Sequence, residues 1–373
     1  MKPISSLVKE HIKNLKPCIH GGEVLDAAYK SGIRREELLD FSSSVNPLGT
    51  SKKALAAVEA AFNQVAAYPD SASSELREVI AKHYNVTKNN IIVGNGSTEL
   101  MYLFAEVFLS KGDIVVMAAP TFGEYEGAVR RTGANIRFIK LCDDQKLDID
   151  AFIKGMRGAK MVFVCNPNNP TSLLVSTGDL EQVLKAALEQ NVLVFLDEDF
   201  LEFVEEEPKL SMISSISKYP NLFILRSFTK LFGLTGLRVG YGIACQEIID
   251  VLMSTKIPWN VNCLAQAAAV VALNDEDHLH ATRQLIRVEK KFLQDGLKSV
   301  RGFRVFVPDA NFFFIDIRET GYTATELSER LLAQGIMIRD CSSFRGLDPY
   351  YIRIAVRLHD ENVRLLQALG KVL

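Results

Sequence analysis

Four polar clusters fall in order along one stretch of the chain: Gly94-Asn95-Gly96-Ser97-Thr98, Asn166-Pro167-Asn168-Asn169-Pro170-Thr171, Asp197, and Ser227-Phe228-Thr229-Lys230 followed by Arg238. Their chemistries complement one another. A glycine turn that opens a helix offers free backbone N–H groups to a phosphate. An asparagine can donate to a ring oxygen, a carboxylate can hold a ring nitrogen protonated, and a lysine amine can form a Schiff base with a carbonyl compound.

Together these are the parts that hold pyridoxal 5'-phosphate (PLP), which needs an amine for attachment and a carboxylate to keep its pyridinium an electron sink. Each part also has a plainer reading. Lys230 alone reads as a surface lysine, but flanking hydroxyls and Arg238, eight residues on, could hold a phosphate beside its amine. Burial would then lower its pKa toward the nucleophilic form. Ser97 and Thr98 suit a helix cap as well as a phosphate site. Asp197, followed by Glu198 and Asp199, could be a solvated strand end, and Phe122, after Pro120-Thr121, could be core or could lie flat on an aromatic ring.

The elements that must position these residues are legible as alternation. Strands are predicted at 91–93, 114–117, 136–139, 161–164, 192–196, 222–225 and 239–243, with helices such as Ser97–Leu109 and Leu180–Gln190 between them. Several of the strands are apolar throughout, which suits strands covered on both faces. The expected fold class is therefore α/β, a mainly parallel seven-stranded sheet with helices on both sides. Ligands in such sheets bind beyond the carboxyl ends of the strands, where all four clusters fall.

After about residue 275 the pattern changes to a long charged helix, Glu276–Ser299, and short strands at 303–306, 311–317, 336–339 and 351–356, with a helix near 325–334. This reads as a smaller α+β domain. The expected division is an N-terminal segment, 1–50, partly joined to the small domain; a large cofactor-binding domain, 51–275; and a small C-terminal domain, 276–373.

At 373 residues the chain is long enough for two domains and a sizeable core. Forty-three basic against forty-five acidic residues give a net charge of −2 with no long block of one sign, so nucleic acid is not an expected partner. Six cysteines without a Cys-x-x-Cys pair or a His/Cys cluster at metal spacing suit a reduced compartment and no metal site. The N-terminus lacks a signal-peptide core, and no run reaches the roughly 18 apolar residues of a membrane span, so a soluble cytoplasmic protein is expected.

At these residues the chain resembles the fold-type I PLP enzymes, the aspartate aminotransferase superfamily, over nearly its whole length. The resemblance implies that Lys230 attaches the cofactor, Asp197 pairs with its pyridinium nitrogen, and Phe122 stacks on its ring. Asn169 would donate to the phenolic oxygen. Gly96, Ser97, Thr98, Ser227, Thr229 and Arg238 would surround the cofactor phosphate, joined by Tyr68 sent across a homodimer interface. Arg353, in Tyr351-Ile352-Arg353-Ile354, would bind the substrate carboxylate as a bidentate fork. His20, Gly21, Asn46, Asn169 and Arg339 complete the implied substrate site.

Two members of this superfamily that take phosphorylated substrates lie nearest: threonine-phosphate decarboxylase of cobalamin biosynthesis and histidinol-phosphate aminotransferase. The segments His20-Gly21-Gly22 and 40–49 look like the decarboxylase signature, where the histidine helps hold the substrate phosphate. Phe200 stands where the aminotransferases usually carry tyrosine. Arg339, 14 residues before Arg353, resembles a phosphate-binding partner to it, although the aminotransferases have an arginine there too. The expectation is a decarboxylase of threonine or serine phosphate, yielding an amino-alcohol phosphate. Histidinol-phosphate aminotransferase is the alternative, and a silent PLP-binding regulatory protein the third.

Overall fold

The computed structural model describes all residues except Met1, Lys2, Asn14 and Glu205. A short strand, β1 (Leu39–Asp40), precedes seven longer ones: β2 (Ile91–Gly94), β3 (Ile114–Ala119), β4 (Asn135–Lys140), β5 (Met161–Cys165), β6 (Leu193–Asp197), β7 (Leu222–Ser227) and β8 (Gly240–Ala244). These seven form one sheet in the order β2-β8-β7-β6-β5-β3-β4. Only β8 runs against its neighbours. The expected α/β architecture and each predicted strand are present, with ends that differ by a residue or two.

The unbroken apolar strands have a simple cause: successive side chains point to opposite faces, and both faces are packed. Val162, Val194, Leu196, Leu222 and Ile224 enter one core, while Met161, Phe163, Phe195, Phe223 and Leu225 enter the other. Helices Ser74–Tyr84, Thr177–Glu189 and Cys263–Leu273 cover the first face, and Ser97–Phe108, Gly123–Thr132 and Gln246–Thr255 the second. Phe104 anchors the second core, its ring centroid 5.3 Å from that of Phe195 and 4.8 Å from that of Phe223. Phe104→Ala is expected to lower unfolding free energy by about 3–5 kcal/mol. Chemical denaturation of the two proteins measures this, and a loss below about 1 kcal/mol would mean that the cavity collapses freely.

The C-terminal part adds β9 (Arg304–Val305), β10 (Phe312–Asp316), β11 (Ile336–Met337), β12 (Arg339–Asp340) and β13 (Tyr351–Ala355). Strands β12-β13-β10-β9 make an antiparallel sheet, and β11 pairs in parallel with β1. The single strand predicted over 336–339 is thus two. The chain leaves β1 at Ile338 and joins β13 at Arg339, which sets Arg339 directly across from Arg353. That register explains the spacing of the two arginines: they are cross-strand partners on one face.

Candidate active site

Beyond the carboxyl ends of the large sheet lies a cavity of about 1230 Å³, bounded on its other side by β12, β13 and the segment around His20. Its lining includes Ser97, Thr98, Phe122, Asn169, Asp197, Thr229, Lys230, Arg238, Arg339 and Arg353.

One end could hold a phosphate. Gly96 caps helix Ser97–Phe108 at φ +80°, where no side chain occupies the first backbone N–H groups. A Cβ on Gly96 would sit 2.5 Å from the guanidinium of Arg238, and one on Gly240 would sit 2.6 Å from the backbone nitrogen of Ser97. Glycine at both positions therefore keeps the helix start, β8 and the arginine within reach of one anion. Gly96→Ala is expected to displace Arg238 and raise the Kd for PLP about tenfold or more, ~1.4 kcal/mol, as read by equilibrium dialysis. An unchanged Kd would remove the cradle from the argument. Ser227 stands one layer behind, its hydroxyl accepting the Thr229 N–H at 3.2 Å.

At the middle of the cavity Asp197 is buried at the end of β6, its Oδ2 accepting the Tyr125 hydroxyl at 2.7 Å and its Oδ1 the Asp199 N–H at 2.9 Å. Burial, and then the charge of Asp199, push the Asp197 carboxyl up to about 7. A carboxyl whose folded value lies above its unfolded one, about 3.9, takes up a proton on folding, so stability falls as pH rises from about 4 to 7. A cationic ring nitrogen would offset that loss. PLP is therefore expected to raise Tm more near pH 8 than near pH 5, and Asp197→Asn to remove the difference. Equal increments at the two pH values, measured by thermal scans with and without cofactor, would count against Asp197 as the nitrogen's partner.

Lys230 follows β7 into the same space, its Nζ 5.4 Å from the centroid of the Phe200 ring. Burial lowers its pKa, with Asp199 opposing and Arg353 and Arg238 adding to the effect. Phe122 caps helix Gly123–Thr132 and lines the opposite side, its ring edge-on to Tyr125 at 5.5 Å. These residues fit PLP: an amine, a carboxylate, an aromatic face and a phosphate cradle share one cavity.

The far wall is cationic. Buried Arg353 donates to the Asn169 side-chain oxygen and to the Ser42 carbonyl at 2.7 Å, while its Nε has no partner. Asn169, with its oxygen so engaged, presents its amide NH₂ as donor. Arg339 donates to the Ile19 carbonyl at 2.7 Å and to Ser343 Oγ at 2.8 Å. Among the described residues neither arginine has a carboxylate in salt-bridge range. Burial first, then the charge of Arg339, pull the Arg353 pKa down to about 10. Two like charges set directly opposite destabilise a sheet, so this pair is arranged for an anion that the protein does not itself supply.

His20 and Gly21 line the cavity, and His20 Nε2 lies 2.8 Å from Glu124 Oε1. One expected residue is elsewhere. Asn46 turns into the protein, where its amide donates to the Leu231 carbonyl at 2.7 Å and to Thr282 Oγ1 at 2.9 Å, because a buried amide needs those partners. Tyr68 stands outside the cavity, 81% exposed and stacked on Trp259 at 4.6 Å. Conversely, Tyr125, Glu124, Ser343 and Asp199 escaped the sequence reading. The alternation of side chains past the end of β6 was the available signal for Asp199, since Glu198 turns to the opposite side to bind Arg226 at 2.6 Å.

The family model for aminotransferase class I and II matches residues 36–369. The chain belongs to the class I and II aminotransferases. Similar members of this family include the histidinol-phosphate aminotransferase of Methanosphaera stadtmanae, 32% identical over 364 residues that make up 97% of each chain. Among solved structures, L-threonine-O-3-phosphate decarboxylase from Porphyromonas gingivalis is 28% identical with a TM-score of 0.79, covering 89% of this chain and 98% of that one. The histidinol-phosphate aminotransferase from Sinorhizobium meliloti, solved in complex with PLP, has a TM-score of 0.87 at 23% identity, covering 98% and 97%. This aminotransferase-family chain is a PLP-dependent enzyme. No helix among its described residues is long and apolar enough to cross a membrane.

Proposed function

We propose that the enzyme transfers the amino group of a phosphate-bearing amine, histidinol phosphate, to 2-oxoglutarate. Curated relatives of that name, 30–35% identical over nearly the full length of the chain, support amine transfer better than the decarboxylation expected from the N-terminal signature. The observation that carries a doubly anionic substrate pair is the cross-strand pairing of Arg339 with Arg353 in the cavity that also holds Lys230.

When bound, PLP supplies an electrophilic aldehyde and an electron-withdrawing ring, which loosen the bonds at the substrate's amine-bearing carbon. Lys230, its amine shifted toward the neutral form by burial, is the group that moves a proton at that carbon. Arg353 offers two N–H groups to the carboxylate of the amino acceptor, and its hold on Asn169 fixes the direction of that amide. Arg339, Ser343 and His20 face the space left for the phosphate monoester. Phe122 would pack against the cofactor ring and the buried Asp197 would hold its nitrogen.

The decarboxylase reading is favoured by one observation. Phe200 brings no hydroxyl to the cavity; its ring packs edge-on against Phe312 at 4.9 Å, beneath the amine of Lys230. The test is direct. Purified enzyme given histidinol phosphate and 2-oxoglutarate should form glutamate. Release of carbon dioxide from O-phosphothreonine or O-phosphoserine, with no glutamate from histidinol phosphate, would overturn amine transfer and install the second reading.

The exposed Tyr68, with Phe62, Val65 and Ile257 also exposed nearby in sequence or beside Trp259, is read as a face for a second copy of the chain. A homodimer is the expected species in sedimentation, and Tyr68→Ala should weaken cofactor retention more than it changes the fold. A monomeric holoenzyme of full activity would end that reading.

A further inference from the structure

The start of helix Gly123–Thr132 serves the cavity twice. Its cap, Phe122, lines the side where an aromatic ring would lie, and one turn position later Glu124 reaches His20, whose ring centroid is 6.3 Å from that of Phe122. Glu124 is 8% exposed, and both of its oxygens are engaged: Oε1 lies 2.8 Å from His20 Nε2, and Oε2 accepts the Tyr102 hydroxyl. The contact with His20 is the largest cause that lowers the Glu124 carboxyl to about 2; burial opposes it, and the Tyr102 hydroxyl adds to it. Glu124 is therefore a carboxylate throughout the neutral range.

Gly127 makes room for this arrangement. It lies in the interior of the helix, where glycine is unfavourable, yet a Cβ there would sit 2.8 Å from the Tyr102 hydroxyl and 3.6 Å from Glu124 Oε2. The main chain around His20 is fixed as well. Arg339 donates to the Ile19 carbonyl at 2.7 Å and to the His20 carbonyl at 3.5 Å, and the Gly22 N–H donates to Ser42 Oγ at 2.8 Å. A Cβ on Gly21 would sit 2.4 Å from the Ser42 carbonyl oxygen. With the backbone so held, the rotation of the imidazole is the freedom that remains, and Glu124 removes it.

We propose that Glu124, itself held by Tyr102, is a positioning residue that turns His20 Nε2 toward the protein and leaves Nδ1 to donate to the substrate's phosphate beside Arg339. The inference rests on the reading that the substrate carries a phosphate, and it holds for either reaction. An imidazole with a carboxylate at one nitrogen donates from the other only as an imidazolium, the form that a carboxylate neighbour stabilises. The phosphate is then met by two cations whose orientations are set before it arrives.

The test measures Kd in holoenzyme by calorimetry, with ligands that carry no amine and so cannot react. These are 3-(imidazol-4-yl)propyl phosphate beside its parent alcohol, and 3-phosphooxypropionate beside 3-hydroxypropionate. In the parent enzyme the phosphorylated member of at least one pair should bind about a hundredfold more tightly than its partner, and Glu124→Gln should cut that ratio about tenfold. The Kd of the phosphate-free ligand should stay within about twofold, which a general loss of structure would not allow. His20→Gln should match Glu124→Gln, and the double variant should lose no more than either alone, because the two act as one unit. Should Glu124→Gln prove unstable, Tyr102→Phe reads the same loss in smaller measure. A ratio unchanged in Glu124→Gln, a loss shared equally by the phosphate-free ligands, or additive losses in the double variant each overturn the proposal. A parent enzyme that gains nothing from either phosphate refutes the phosphate-bearing substrate and the proposal with it, and that failure is visible before any variant is made.

Discussion

Lys230→Ala is expected to lower kcat by at least about 10⁴-fold and to remove the visible absorbance of the attached cofactor. The size follows from two losses in one side chain. Among the described residues this is the only lysine lining the inner cavity beside Asp197 and Asn169, so no described neighbour can take over attachment, and it is also the group proposed to carry a proton at the substrate's reacting carbon. The other lysine on the lining, Lys16, stands exposed on the N-terminal segment. The measurement is single-turnover kinetics beside the absorbance spectrum, with folding checked by thermal unfolding. A variant that keeps both the band and a rate within tenfold of the parent would show that the amine is not where the chemistry happens. Small exogenous amines should restore part of the rate but none of the covalent attachment.

The second large effect is expected at Arg353. Arg353→Ala should lower kcat/KM for the carboxylate-bearing reactant by about 10³-fold, or ~4 kcal/mol, within the range for breaking a buried charge-assisted contact. Arg353→Lys should recover little, because a point charge cannot reproduce the fork that reaches Asn169 and the Ser42 carbonyl at once. The loss should fall on the carboxylate-bearing partner alone: a phosphorylated amine without a carboxylate should bind as before. Arg339→Ala should do the opposite, weakening the phosphate-bearing partner and sparing the other. Steady-state kinetics with each reactant varied in turn separate the two, and equal losses for both reactants in both variants would mean that the pair acts only as a sheet partner.

The large sheet was legible because each of its strands carries its own signal. Runs such as Met161-Val162-Phe163-Val164 are apolar on both faces, and the polar clusters that follow them mark the ligand edge. The placement of Lys230, Asp197 and Asn169 in one cavity follows from that alternation, since residues at the ends of parallel strands must share an edge, and Arg238 reaches the same edge because β8 runs the other way. The break at Ile338 was not legible: an apolar run with no glycine or proline gives no sign that its two halves bond to different sheets. Asn46 lay beyond reach for another reason. A polar residue near a site by sequence is aimed by whichever partner completes its hydrogen bonds, and here those partners, Leu231 and Thr282, are about two hundred residues away. Asp199 was obscured by its neighbours, because three consecutive acids do not announce which of them faces inward.

The pairing of β1 with β11, together with the bond from the Asn46 N–H to the Lys230 carbonyl at 3.0 Å, stitches the beginning of the chain to its middle and its end. On the ribosome this imposes an order. A nascent chain that has emerged through Ala244 already carries the lysine, the phosphate cradle and the nitrogen-facing acid, and Asn46 can already reach Lys230, yet Leu39 and Asp40 have no strand to pair with until Ile336 and Met337 appear. Arg339 and Arg353, the proposed anion-binding pair, arrive with those later strands, after the lysine and its cradle have been made.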